Sequence, residues 1–540
     1  MSDQEQAARS DIKTESAQSA QAECDAVGNI TQGEAGSISA FRAAAPKPEY
    51  KFKMFESVVA FVALAVGIMF ARYVVWHVSG YFTTLTMWAL LALCTVFLQK
   101  SAIKLHRTSR VLIGIIAAFA LVFSITDNGI IKFLVICFEL SAGAYFVYSA
   151  ALPRETLDGR LRYDVGASLI SVPFSAFGSE LRALAGSGER KREGHAASQV
   201  LMGLIIAIPL TLVVAPLLMT ADQQMRKMLE SAFRGVSDNI GSAVIQLVMG
   251  VLVACYVFGM LYANAHHFKA AQCSNEAFEQ RLSAYRSVPN LAAYIAVTPI
   301  LALYAMYLAL QSSYFFSAFS GVLPAGFSYS GYARQGFFEL CALSVINLVV
   351  IFAINRFTAK SGENRTRPLR AVTVTVCSAT LLIISTALSK MLLYIKNVGL
   401  TRLRVYTSWF MVLLALVFVY IVIQQFKTKF PFVRVAVITA VAMFAMLAFS
   451  QSDYWIARYN VEAYISGRNK ELDSYMIMYE LSDDASVYLL EQQGKIKDGA
   501  DRYNEEIMQY KLNDYKRDKF STYNIPSMLT RSELERTLNK

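Results

Sequence analysis

A carboxylate that enters hydrocarbon needs a partner, and the stretch YARQGFFEL, Tyr332 to Leu340, carries one in. Glu339 follows Arg334 by five residues, so on a helix the two point to different sides and form no i,i+4 pair. Burying Glu339 alone costs several kcal/mol or forces it to take up a proton. At about 100° per residue it shares one helix sector with Gly336, Leu343 and Asn347, and Gly336 would let a neighbouring helix come close. Suitable cations stand in GLTRLRVY, where Thr401 can cap the next helix and place Arg402 and Arg404 in its first turn. That end of a helix is already positive, so two arginines there ask for an anion. The candidates are Glu339, a carboxylate further on such as Asp453, a lipid phosphate or an anionic ligand. The plainer reading is that both arginines snorkel to headgroup phosphates. Arg458 in DYWIARYN could join the same anion site, while Trp455 and Tyr459 suit an interfacial aromatic belt. If these arginines held a phosphate, Glu339 or Asp222 would be the general base of a transferase, provided it lay within hydrogen-bond reach of the acceptor.

A second set of charges lies inside apolar runs: Arg72, Lys132 and Glu139. Ionisable groups at such depth are functional candidates by default, and an Arg72–Glu139 ion pair that ties two helices together is the simpler expectation. Asn347 and Asn355 are expected to make interhelical hydrogen bonds, and Pro209, Pro216 and Pro299 to kink their helices. Several chemistries find no support. His266 and His267 point about 100° apart on a helix, a poor metal pair. GSGERK lacks the GK[ST] ending of a phosphate loop, and neither GxSxG nor HExxH occurs. The seven cysteines show no CxxC spacing. No metal, cofactor or nucleic acid is expected.

The elements that must hold these residues are membrane helices. Of the 540 residues 55% are hydrophobic and only 17% charged, too apolar for an ordinary soluble chain. Runs of about twenty apolar residues lie near 55–77, 81–98, 111–126, 129–150, 200–219, 240–264, 291–311, 335–355, 371–389, 405–424 and 431–451. The third is short, and losing it would invert everything downstream. Alternate connectors carry 22 Lys and Arg in one set and 8 in the other, so the rich set and the N-terminus are expected in the cytoplasm, with the C-terminus outside. The expected fold is therefore all-α: a polytopic transmembrane bundle of about eleven spans with a small helical extramembrane tail. Residues 1–50 are polar and expected to be disordered. A linker over 151–199 contains ASLISVPFSAFGSELRALAG, expected to lie in the headgroup plane or to cap the bundle. Residues 452–540 show apolar spacing for three or four short helices.

Four stretches taken in order carry a resemblance: PLLMTADQQM, YARQGFFEL, KMLLYIKNVGLTRLRVY and DYWIARYNVEAYISGRNKELDSYMIMYELSDDA, with PFSAFG as a fifth. Together they resemble the bacterial multi-pass proteins of the domain-of-unknown-function families 4153 and 4173, over roughly residues 50 to 490. The resemblance implies a bacterial cytoplasmic (inner) membrane protein and supplies no activity or catalytic residue. Under the charge-derived orientation the four main stretches fall at the outer membrane face. The leading expectation is a non-enzymatic envelope component for transport, sensing or assembly. It would meet the lipid bilayer, an anionic lipid or phosphate-bearing ligand and an envelope protein through its tail. The alternative is a transferase acting on a lipid-linked or phosphate-bearing substrate at that face.

Overall fold

A computed structural model describes residues 52–76, 80–152, 157–184, 222–224, 227–228, 238–266, 290–320, 337–357, 367–427, 429–469, 472–473, 476–492, 495, 509, 512–513, 515 and 523–539. The polar N-terminus, the apolar run 200–219, Arg334 and His267 lie outside these residues.

The apolar runs become helices. They are α1 Met54–Phe70, prolonged by a π turn Ala71–Trp76; α2 Gly80–Lys100; α3 Arg107–Ala120, continued by Val122–Ile125; and α4 Gly129–Ala151. After a set of short turns come α5 Asp238–Ala265, α6 Asn290–Ser320, α7 Phe337–Phe357, α8 Arg367–Val398, α9 Arg402–Phe426 and α10 Phe432–Phe449. The tail supplies α11 Ser452–Ile465, a π turn Met476–Glu480, a 3-10 turn Asp483–Ala485, α12 Ser486–Gln492 and α13 Ile525–Leu538. Among the described residues no strand occurs, and nine helices are long and apolar enough to cross a membrane. The short third run is among them, as Arg107–Ile125. The protein is a polytopic all-α membrane protein. In α6 the apolar part, Ile295–Leu310, is shorter than the nine.

Packing explains why this is one bundle. Helices α1 and α5 run antiparallel in close contact: Glu56 meets His266 at one end, with Oε1 to Nε2 at 2.9 Å, and Gly67 faces Gly250 further along. A Cβ on either glycine would overlap the other helix's backbone or Ile68, so only glycine permits this approach. One core joins Phe70, Phe119, Phe123 and Val135 to Leu447 and Ala448 of α10. A second joins α6 to α9 through Phe337, Ile383, Met411 and Phe418. Between α6, α7 and α8 the Tyr304 hydroxyl donates to Asn347 Oδ1, and Asn347 Nδ2 donates to Thr380 Oγ1 at 2.8 Å. Asn355 instead donates to Ile351 O on its own helix.

The linker turns Val172–Ser175 and Ser179–Leu184 pack on α5, and Leu161–Gly166 and Ala167–Ser171 pack on α4. Tyr256 donates to Leu169 O at 2.9 Å, and a Cβ on Gly259 would come within 2.8 Å of Pro173 O. Pro173 sits at the start of its turn, where its missing N–H costs nothing. This segment caps one end of the bundle while Ile170 and Phe174 remain exposed. The tail has its own small core of Ile456, Val461, Ile477, Leu489 and Leu534 and docks at the opposite end.

Candidate functional site

The tail docks where the loops before α4, before α9 and before α11 converge. In the loop before α9, Gly399 has φ +97, a backbone state that favours glycine, and a Cβ there would overlap Asn460 Oδ1. Asn460, on α11, accepts from Leu400 N at 2.8 Å and donates to Leu400 O at 2.8 Å. The tail helix thus grips this loop as a neighbouring strand would. Thr401 caps α9 by accepting from Arg404 N, as its position in GLTRLRVY predicts.

Arg402 has its anion. Its Nε donates to Asp453 Oδ1 at 2.8 Å and its Nη2 donates to Asp453 Oδ2, a two-pronged pair. Asp453 is fully buried and takes three more donors: Asn128 Nδ2 at 2.9 Å, Ser482 N at 2.9 Å and Ser482 Oγ at 2.6 Å. A buried carboxylate with this many donors serves as a clamp between the tail and the bundle. Asn128 meanwhile caps α4 through Ile130 N and Ile131 N and also donates to the Tyr406 hydroxyl. Next to it Asp484 accepts from Thr126 Oγ1 and from Asp127 N at 2.7 Å. Burial pushes the Asp484 carboxyl up to about 6 despite those two donors. Asp127 pairs with Lys132 at 3.0 Å and accepts from Asn524 Nδ2 at 2.7 Å.

Arg404, two residues on, points elsewhere. Its Nη1 donates to Gly399 O, and its guanidinium carbon lies 3.9 Å from the centre of the Tyr394 ring. It borders a cavity of about 570 Å³ between this loop and the tail. Arg468, Asn397, Thr401, Asn460, Asn469 and Asp473 complete its polar lining among the described residues. Asp473 is engaged already, with Oδ1 accepting from Met476 N at 3.0 Å. Two guanidinium groups and three amides around one hollow are the donors that hold a phosphate or carboxylate.

The other expected residues are placed differently. Glu339 is exposed. The buried stripe of α7 is Phe337, Leu340, Ser344, Asn347 and Ile351, and Glu339 stands about 100° away from Leu340. The sector drawn through Glu339 and Asn347 was wide enough to include both, and packing chose only the Asn347 side. Arg458 has a side chain 42% exposed and pairs with Glu462 at 2.7 Å along its own helix, which raises its pKa, with Trp455 beneath it. Asp222 is exposed and accepts from Gln224 N. The structure does not bring Arg72 and Glu139 together. Arg72 is exposed in the π turn against Tyr73, whereas Glu139 is buried and its Oε1 has no hydrogen-bond partner among the described residues. Residues that composition did not single out are Asn128, Ser482, Asp484, Arg468 and Asn469. Ser482 and Asp484 stand in SDDA at the end of the fourth resembling stretch, which was their only signal.

Residues 112–492 match the family described as Domain of unknown function (DUF4153). The chain belongs to this family. The match contains Asn128, Arg402, Asp453, Ser482 and the whole lining of the polar cavity, so site and family coincide. No curated protein and no solved structure matches the chain. Among the described residues no cluster of His, Cys, Asp or Glu could hold a metal ion.

Proposed function

We propose that this DUF4153 protein is a binding component of a bacterial cytoplasmic membrane, with its N-terminus and basic connectors inside and its tail outside. In this reading the polar cavity under the tail recognises an anionic group, a phosphate or carboxylate carried by a lipid or an envelope molecule. The orientation rests on the bias of Lys and Arg toward alternate connectors. The observation that carries the reading is the pairing of Arg404 and Arg468 in one hollow in which the one carboxylate among the described residues, Asp473, is already bonded to backbone. An occupied carboxylate favours holding over proton transfer, hence a sensing, assembly or transport role over a transferase.

The test is equilibrium binding of inorganic phosphate, glycerol 3-phosphate and short-chain phosphatidylglycerol to the full chain in zwitterionic nanodiscs. Arg404→Ala and Arg468→Ala should each weaken binding about tenfold, the cost of one charge-assisted contact, and Arg458→Ala should leave it unchanged. Equal binding by all three variants removes the cavity from the reading, and turnover of a phosphate ester would move it to the transferase. The orientation is tested separately. A cysteine at Arg536, which is exposed on α13, placed in a variant without the seven native cysteines, should react with an impermeant maleimide from outside intact spheroplasts. Labelling only after lysis reverses it.

A further inference from the structure

A second cavity lies within the first half of the bundle and is unlike the polar one. It encloses about 550 Å³ between α1, α2, α3, α4, α5 and the capping linker, a size that small-molecule sites share (about 300–1,000 Å³). Its wall is almost wholly apolar, with Phe70, Met87, Ile116, Phe174 and Met260 typical of it. Among the described residues Glu139 is the one charged side chain in that wall. It is 4% exposed, and its Oε1 finds no donor among the described residues. The basic groups nearest in kind are used elsewhere: Lys132 is held by Asp127, and Arg72 is exposed beside Tyr73. Tyr256, also in the wall, spends its hydroxyl on Leu169 O.

An acyl chain alone would be served better by a leucine at this position, because an unpaired carboxylate in such a wall costs several kcal/mol. The missing partner has to be small in charge and large in apolar surface. We infer that this cavity is a binding site for a lipophilic amine, whose ammonium group pairs with Glu139 while its hydrocarbon body fills the apolar wall. The linker makes one side of the chamber through Leu169, Phe174 and Phe177, so the occupant would touch a connector as well as spans. This site is independent of the anion site under the tail.

Three probes with one chain and different heads separate charge recognition from simple partition: dodecylammonium, dodecanol and dodecanoate. Each is measured by equilibrium binding to the full chain in zwitterionic nanodiscs, with protein-free discs as baseline. The ammonium should bind at least tenfold more tightly than either of the others, and Glu139→Gln should erase that preference while retaining chain binding. Gly143 lies one turn from Glu139 in the same wall, and a Cβ there meets nothing within 4 Å. Gly143→Leu should therefore fold and fill the cavity, abolishing binding of all three even if Glu139→Gln fails to fold. Equal affinity for the three heads, a preference that survives Glu139→Gln, retention of ammonium binding in Gly143→Leu, or no binding above the empty discs each overturns the inference. Equal affinity would mean that the cavity holds a lipid chain.

Discussion

Replacing Arg402 by alanine isolates the clamp between tail and bundle. Asp453 is fully buried and receives five donors, of which Arg402 supplies two. After Arg402→Ala the carboxylate keeps Asn128 Nδ2, Ser482 N and Ser482 Oγ but loses its one ion-pair partner among the described residues. Breaking a buried ion pair from one side costs about 3–5 kcal/mol. The arginine side chain is 22% exposed, so water screens part of the pair and the low end, about 3 kcal/mol, applies. That is on the order of a hundredfold in the population with the tail undocked. Hydrogen exchange of the α11 amides, measured on the protein in nanodiscs, reports this population directly when closing outruns exchange. Protection across Ser452–Ile465 should fall by that factor, while amides in the core of α8 should not change. Arg458→Ala is the control, because its pair with Glu462 is exposed on both sides and such pairs hold little. Combining Arg402→Ala with Asp453→Asn should cost less than the sum of the single changes, since the second removes the stranded charge. If Arg402→Ala and Arg458→Ala gave the same exchange in α11, the clamp would not hold the tail.

Two further outcomes test the same junction. Gly399→Ala places a Cβ against Asn460 Oδ1 on a backbone at φ +97. It should destabilise the detergent-solubilised protein by about 2 kcal/mol or more, through left-handed strain and the two lost Leu400 bonds, seen as a lower apparent melting temperature. The second concerns pH. Folding raises the Asp484 carboxyl to about 6 through burial, above an ordinary aspartate near 3.9. The native state therefore holds that proton more tightly than the unfolded chain. Its stabilising effect is complete below about pH 4 and is lost as pH rises through about 6, by up to about 3 kcal/mol. Between pH 5 and 7.5 the wild type should lose more apparent stability than Asp484→Asn. Parallel profiles for the two proteins would show that Asp484 is not the titrating group.

Helices that cross the bilayer were readable because each needs a long apolar run, and length alone separates that pattern from a soluble helix. The run 111–126 looked short only because Arg107–Arg110, polar in sequence, form the first turn of the same helix. Faces of these helices were much harder to read. In a soluble helix the apolar stripe marks the buried side, but lipid is as apolar as protein, so α7 offered no contrast between its two sides. Hence the sequence groups Glu339 with Asn347, whereas the structure leaves Glu339 exposed and bonds Asn347, eight residues on, between helices. Arg402 was a different case. Its position at a positive helix end announced an anion, and Asp453 was among the candidates. The remaining donors to Asp453 could not be foreseen, because Asn128 stands 325 residues before it and no spacing rule spans that distance. Glu139 was singled out by its depth, yet the sequence suggested a partner, Arg72, that the π turn Ala71–Trp76 leaves on the exposed surface.

The helix α4 lines the apolar cavity and, at its first turn, joins the clamp that holds the tail. Asn128 begins α4 and belongs to the clamp, and Glu139 lies eleven residues later in that helix, roughly 16 Å along its axis. A helix packed on α2, α3 and α5 is stiff over that length. The position of its first turn is fixed by the Asn128 cap, and the cap is fixed by Asp453, which also fixes Arg402 and Ser482. Polar networks satisfied at every member specify geometry more sharply than apolar contacts of equal area, because a shift leaves a buried group unpaired. One carboxylate therefore sets the register of the tail against the loop that carries Arg404 and, through α4, the depth at which Glu139 meets its chamber. Placement of the clamp inside the family match, with α13 and its Gly80–Tyr523 contact outside it, assigns that register to the DUF4153 region and makes the last helix a support added to it.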